Sequence, residues 1–210
     1  VTLKLHDNCI DFDLQVELFE LLSQGIWQYG KTAWAYRQDG TKQNRTENSL
    51  EGNNFNEGTN YWNCGFKKDK GLMPRLWDQI EQRIIGPDVV TVKRVYGNAA
   101  TYGMEGVPHH DDGHWTFMYM PCAWQHNWGG GTGFFDRDGT QVGVAPYKEG
   151  RVISFPARLP HASLPVSRLC NAIRYIIVFK TTINSYKTGD MPVTELKMLA
   201  DEKEISSNGV

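Results

Sequence analysis

Apolar residues recur at helical intervals in two places within the first ninety positions, and beyond them the pattern shortens to strand length. In Phe12–Leu22, residues Phe12, Val16, Phe19 and Leu22 fall three or four apart, with Leu18 widening the stripe, and Asp11 or Asp13 is placed to cap the start. Gly25 marks the end of this helix. Residues 26–37 are rich in tryptophan and tyrosine and predict a strand. The stretch 38–60 has almost nothing to bury, and it reads equally as a functional lid or as disorder. A second helix is predicted over 74–85, with Leu76, Trp77, Ile80 and Ile84 as its buried stripe and Gly86-Pro87 as its stop. From there short strands follow one another at 89–96, 115–120, 133–136, 141–145, 151–155 and 174–181. Asp138-Gly139 and Glu149-Gly150 read as hairpin turns. Closely spaced strands after a helical start predict a mainly β, α+β fold, a small barrel or jelly roll with helices bracing its outside. Residues 195–210 are charged and weakly periodic, which reads as a short terminal helix and a frayed end.

Composition narrows the partners. A chain of 210 residues with 40% apolar content fits one domain with a real core. Its 22 basic and 24 acidic residues give a formal net charge of -2, and no lysine or arginine run forms a phosphate-binding stripe. Duplex nucleic acid is therefore not expected as a partner. Neither a run of about 20 apolar residues nor a basic-then-apolar start is present, so no membrane association and a soluble cytoplasmic protein are expected. Cys9, Cys64, Cys122 and Cys170 are scattered without Cys-x-x-Cys spacing, which reads as reduced, structural cysteines.

The stretch 107–115, Val-Pro-His-His-Asp-Asp-Gly-His-Trp, puts three histidines and two aspartates into nine positions. In an extended backbone residues two apart share a face, so His109 with Asp111, or His110 with Asp112, can reach one ion. Spacing alone leaves that register open. A borderline cation such as Fe(II) takes imidazole and carboxylate together, and two histidines with one carboxylate on one face leave the opposite positions open. His161, which follows the strand-like run 151–155, is the best candidate for the second histidine.

The order of these pieces is informative: His-x-Asp, a strand from Thr116 to Tyr119, Trp128-Gly129-Gly130-Gly131-Thr132-Gly133-Phe134-Phe135, Gly150-Arg151 opening a strand, Pro160-His161, and Arg174-Tyr175-Ile176-Ile177-Val178-Phe179-Lys180. Over 91–182, about half the chain, it resembles the Fe(II)- and 2-oxoglutarate-dependent dioxygenases, particularly the prolyl-4-hydroxylase-like branch. The resemblance implies a double-stranded β-helix, the cupin-like jelly roll, as catalytic core, supported by 1–90 and followed by a tail at 195–210 within a single domain. It implies that His109, Asp111 and His161 are the catalytic metal ligands for Fe(II), with 2-oxoglutarate as co-substrate, O2 as oxidant and ascorbate as a candidate reductant. The implied reaction is hydroxylation of a peptidyl proline or a small molecule, with succinate and CO2 as co-products. A dicarboxylate is oriented well by a planar guanidinium, and the family's Arg-Tyr pattern falls on Arg174-Tyr175. Arg174 is therefore implied for the distal carboxylate of 2-oxoglutarate, with Tyr119 joining it and Thr116 beside them.

The chain departs from the family's pattern in two places. Arg174 lies thirteen positions after His161, further than is usual, which leaves Arg168 as a rival and Lys180 as a more remote one. Gly131 stands where relatives commonly carry an acidic residue. Tyr96 and Tyr102 read as pocket lining or as packing, and Trp115, Trp124 and Trp128 as core or as the floor of a substrate groove. His114 and His126 receive no role. Two other readings use the same residues: a cupin-type metal enzyme independent of 2-oxoglutarate, which gives Arg174 no task, and a metal-free binding module, in which the two histidines and the aspartate are dispensable. The sequence leaves the substrate and the oligomeric state open.

Overall fold

The computed structural model describes residues 3–32 and 60–184. The polar stretch expected as a lid or disorder, up to residue 59, the continuation of the aromatic strand past Thr32 and the terminal helix all lie outside the described residues. Among the described residues ten strands and two α-helices follow in order: β1 (Lys4–His6), α1 (Phe12–Leu22), β2 (Gln28–Thr32), β3 (Asn60–Phe66), α2 (Met73–Ile80), β4 (Val90–Ala100), β5 (Trp115–Met120), β6 (Thr132–Phe135), β7 (Gln141–Ala145), β8 (Arg151–Pro156), β9 (His161–Ser163) and β10 (Arg174–Ile183). An antiparallel seven-stranded sheet has the order β1-β8-β5-β10-β4-β3-β2, and a three-stranded sheet has the order β7-β6-β9. This is a double-stranded β-helix braced on one side by helices.

Centrally placed β10 explains the architecture. It pairs with β4 along its whole length and with β5 on its other side. Its first eight residues and all six of β5 are buried, mostly apolar but with Thr116, Arg174, Lys180 and Thr181 among them. Side-chain alternation separates their two faces. Phe117 and Phe179 meet Trp77 of α2, with ring centroids 5.6 and 5.2 Å apart, and Tyr175 stacks on Trp27 at 5.2 Å. Thr116, Arg174 and Lys180 point the other way, into the space between the sheets.

Helix α1 forms where its pattern places it but buries a different row. Leu14, Leu18 and Leu22 are buried, while Phe12, Val16 and Phe19 are 73%, 41% and 45% exposed. Both rows repeat every three or four residues, so periodicity fixes the helix and not the face turned to the sheet. Asp11 stands at the N-cap without a side-chain capping bond. Its carboxylate instead accepts from Arg83 at 2.7 Å and Gln79 at 2.9 Å, tying the two helical segments together. Helix α2 passes into a π-helical turn, Glu81–Ile85, that closes with Gly86 N–H donating to Glu81 O at 2.7 Å. Gly86, at φ +94°, ends it as expected.

Asp138-Gly139 closes the β6–β7 hairpin, with Gly139 at φ +80°. Glu149-Gly150 is a turn but not a hairpin: β7 pairs with β6, and β8 pairs with β5 and β1, so the chain crosses there from one sheet to the other. Among the described residues, no helix is long and apolar enough to cross a membrane.

Candidate metal centre

Backbone hydrogen bonds fix the His-rich loop before any side chain is considered. His109 and His161 exchange N–H···O bonds at 3.0 Å in both directions, Asp111 N–H donates to Ala157 O at 2.8 Å, and His114 N–H donates to Thr181 O at 2.8 Å. Gly113, at φ +102°, passes so close to Thr181 that an added Cβ would lie 2.5 Å from its carbonyl oxygen. The turn therefore requires glycine. These contacts bring one ligand atom each from His109, Asp111 and His161 within 4.8 Å of one another. His110 is exposed and Asp112 is turned outward to Arg94 at 2.7 Å and Lys93 at 3.8 Å, so it is the first pair, His109 with Asp111, that meets His161.

Each imidazole is oriented by a carbonyl two residues before it. His109 Nδ1 lies 3.0 Å from Val107 O and His161 Nδ1 lies 2.8 Å from Leu159 O. A carbonyl only accepts, so both Nδ1 atoms carry the proton and both Nε2 atoms present lone pairs. His109 Nε2 is 3.6 Å from Asp111 Oδ1, and His161 Nε2 is 3.4 Å from Asp111 Oδ2. Burial, with the neighbouring His161, holds the His109 pKa down to about 3, and burial holds that of His161 at about 4. Both rings are thus neutral at physiological pH, the form that binds metals. His161 Nε2 is buried without a hydrogen-bond partner, and its ring lies beside those of Phe155 (centroids 4.6 Å apart) and Phe134 (6.4 Å).

Asp111, with 4% side-chain exposure, is held at both oxygens. Thr116 Oγ1 donates to Oδ2 at 2.7 Å, and the Lys180 ammonium is bonded to Oδ1. Two neutral imidazoles with oriented lone pairs, one carboxylate, and a buried ring nitrogen with nothing to bond match the donor set of a divalent transition metal such as Fe(II).

Arg174 lies on the same inward face of β10, at the end opposite Lys180. They are six positions apart, about 20 Å at Cα. Arg174 is 1% exposed. Its Nε donates to Gly130 O, its guanidinium carbon lies 5.4 Å from the centroid of Tyr147, and its Nη2 is buried without a hydrogen-bond partner. Tyr147 is itself fixed by donating to Tyr175 O at 2.6 Å. Among the described residues no carboxylate forms an ion pair with this guanidinium. Burial pulls its pKa down, yet an arginine keeps its charge. The glycine segment makes room for it. At Gly130, φ +70°, an added Cβ would meet Arg174 Cδ at 3.0 Å and Trp124 at 3.1 Å. At Gly131 it would meet Ala145 O at 2.8 Å, a steric reason for the absence of the acidic residue found there in relatives of the resembled family.

Tyr119 departs from its expected place. It differs in parity from Thr116, and its side chain projects to the helix-covered face of β5 with Phe117, where its buried hydroxyl has no hydrogen-bond partner. The structure does not bring it to Arg174. Of the other two candidate cations, Arg168 is exposed in the loop after β9 and Lys180 is bonded to Asp111. Tyr96 lies inside, its ring centroid 5.7 Å from the Lys180 ammonium, whereas Tyr102 is 64% exposed. Trp115 and Trp128 are buried, and half-buried Trp124 packs on Trp128 and Tyr147. His114 Nδ1 accepts from Ile183 N–H at 3.2 Å, and His126 opens a single 3-10 turn, His126–Trp128. Tyr147 went unassigned in the sequence, and Lys180 entered it only as a remote rival to Arg174, not as a partner of Asp111. Tyr147 carried no signal, whereas Lys180 shares its parity with Arg174, which places both on one face of β10.

No family model matches the chain, and no curated protein matches it in sequence. Solved structures do match. The viral collagen prolyl hydroxylase of Paramecium Bursaria Chlorella virus-1, in its 2-oxoglutarate complex, aligns with TM-score 0.55 and 15% identity over 86% of this chain and 96% of that one. A prolyl hydroxylase from Trichoplax adhaerens, in complex with a hypoxia inducible factor peptide fragment, gives TM-score 0.55 and 15% identity over 90% and 87%. HygX from Streptomyces hygroscopicus, with nickel, 2-oxoglutarate and hygromycin B bound, gives TM-score 0.57 and 8% identity over 88% and 83%. At these identities the likeness is one of fold.

Proposed function

We propose that this protein is an Fe(II)- and 2-oxoglutarate-dependent dioxygenase that hydroxylates a peptidyl or small-molecule substrate. The observation that carries the reading is the pairing, within one barrel interior, of a His-Asp-His set with bare Nε2 atoms and a buried guanidinium that has no carboxylate partner among the described residues. A desolvated cation with an unsatisfied donor is costly unless an anion completes it, so Arg174 gives this interior a use for a dicarboxylate.

His109, Asp111 and His161 are the residues that would hold the metal. Val107 O and Leu159 O keep both imidazoles in the ligating tautomer, and Thr116 orients the carboxylate. Arg174 would bind the distal carboxylate of 2-oxoglutarate, held in place by Gly130 O and the Tyr147 ring. Iron, 2-oxoglutarate and O2 together supply the chemistry, in which decarboxylation to succinate and CO2 is coupled to hydroxylation of a substrate C–H bond. The phenylalanine pair around His161 and the buried face of β10 exclude water from that reaction. The structural neighbours include one enzyme with a peptide bound and one with hygromycin B, and the fold thus serves both substrate classes. An enzyme independent of 2-oxoglutarate would leave Arg174 buried without purpose.

The test is succinate formation from 2-oxoglutarate under air with Fe(II) and ascorbate. Succinate is expected from the wild-type protein even without the true substrate, as slow uncoupled turnover, and none from His161→Ala. Equal succinate from both would overturn the reading.

A further inference from the structure

Lys180 and Thr116 are direct partners in the register between β10 and β5. From that one row they grip the two oxygens of the same carboxylate: Thr116 donates to Asp111 Oδ2 at 2.7 Å, and Lys180 is bonded to Oδ1. The next position in the row, Arg94 on β4, pairs with Asp112 instead. The two successive acids therefore share no cation: Lys180 is on Asp111, and Arg94 and Lys93 are on Asp112. The Lys180 ammonium is as deeply buried as the carboxylate, with 2% side-chain exposure against 4%.

The two grips differ in their effect on a metal. A carboxylate offers about four lone-pair sites, so both donors leave room for an ion. The threonine is neutral, and it only orients. The lysine places a full positive charge beside the position a divalent cation must take, in an interior that screens poorly. It compensates the buried Asp111 charge in the metal-free protein and repels the metal when it enters. A group that stabilises the metal-free site more than the loaded one lowers metal affinity by the same factor, a consequence of linkage.

We propose that Lys180 is a built-in counter-cation to Asp111, a positioning residue that holds the carboxylate ready in the metal-free protein and keeps the bound divalent ion weakly held and exchangeable. This rests on Asp111 being a metal ligand, as in the proposed function, but on no step of the reaction.

The test is equilibrium binding of Mn2+ to the full chain by calorimetry, with melting temperature measured with and without the ion. Lys180→Met is expected to bind Mn2+ roughly tenfold or more tightly than wild type, to melt lower when metal-free, and to gain more from the ion. Lys180→Arg should stay near wild type, and Thr116→Val should bind more weakly, the opposite sign from a grip on the same carboxylate. A merely structural lysine would lower the melting temperature without tightening the ion. Lys180→Gln serves as a second neutral variant. Folding of both neutral variants only with Mn2+ present would support the proposal, because the ion then replaces the lysine. Unchanged or weaker Mn2+ affinity in the neutral variants, or failure to fold with and without the ion, would overturn it. If wild type binds Mn2+ and His161→Ala does not, such a result leaves the metal-centre reading standing. If wild type binds no Mn2+ at all, both fall.

Discussion

The two faces of β5 and β10 are equally dry and chemically opposite. On the outer face Phe117, Tyr175 and Phe179 pack against Trp77, Trp27 and Phe19, each buried aromatic contributing about 1.5–3 kcal/mol to folding. On the inner face Thr116, Arg174 and Lys180 are just as buried, but burying them is costly until they are bonded. The outer face repays its burial in the folded chain alone. The inner face is satisfied at Asp111 and left open at Arg174 Nη2 and His161 Nε2. Burial alone therefore does not separate core from site in this barrel. What marks the site is an unpartnered guanidinium and imidazole nitrogen within a buried row, whereas the outer face leaves unbonded the neutral Tyr119 hydroxyl.

Substitutions on the two faces should separate stability from binding. The largest effect is expected from His161→Ala, which removes one of three ligands: Mn2+ affinity measured by calorimetry should fall more than about a hundredfold, beyond what losing an outer-sphere partner costs, with folding retained. Trp77→Ala attacks the other face, and it should cost about 3 kcal/mol in urea unfolding while Mn2+ affinity holds. Acid probes the inner face again. The folded histidines titrate near 3 and 4, below the ordinary value of 6.5, so between about pH 6.5 and 4 the unfolded chain binds more protons than the folded one. Stability of the metal-free protein should be complete above pH 6.5 and fall by a few kcal/mol as pH drops through that window; urea midpoints at successive pH values measure it. Arg174→Met should weaken 2-oxoglutarate binding at least about thirtyfold, the cost of losing one member of a buried charged pair, with Mn2+ affinity unchanged. Tyr119→Phe should do least. Its hydroxyl is buried and unbonded on the outer face, so 2-oxoglutarate affinity should stay at the wild-type value while stability holds or rises by about 1 kcal/mol. A large loss of 2-oxoglutarate affinity in that variant would break the division between the faces.

Much of this was legible from pattern. The strands at Trp115–Met120 and Gln141–Ala145 coincide with their sequence-based bounds, and the helices begin and end near the residues that cap and stop them. The convergence of His109, Asp111 and His161 was legible in part: period-two spacing offered His109 with Asp111 or His110 with Asp112, the family resemblance chose the first pair, and the strand-like run before His161 pointed to the second histidine. What failed has physical causes. Strands β1 and β9 are three residues long, too short for alternation to register, and β3 begins at the edge of a polar stretch. In α1 two apolar rows share one period, and the choice between them is made by the sheet. Tyr119 was assigned from resemblance, although its odd separation from Thr116 turns it away from the site. Lys180 was legible as a cation on the Arg174 face, but its bond to Asp111 comes from the β5–β10 register, a long-range pairing that no local spacing encodes.

The reading of this interior as a metal and dicarboxylate site is tested most directly by anaerobic titration of the metal-free protein with Fe(II) and then 2-oxoglutarate, followed by visible absorbance. A weak metal-to-ligand charge-transfer band is expected to grow to saturation in the wild type, to be absent in His109→Ala, and to need much higher 2-oxoglutarate in Arg174→Met. Tight Fe(II) binding with no band at any 2-oxoglutarate concentration would contradict it.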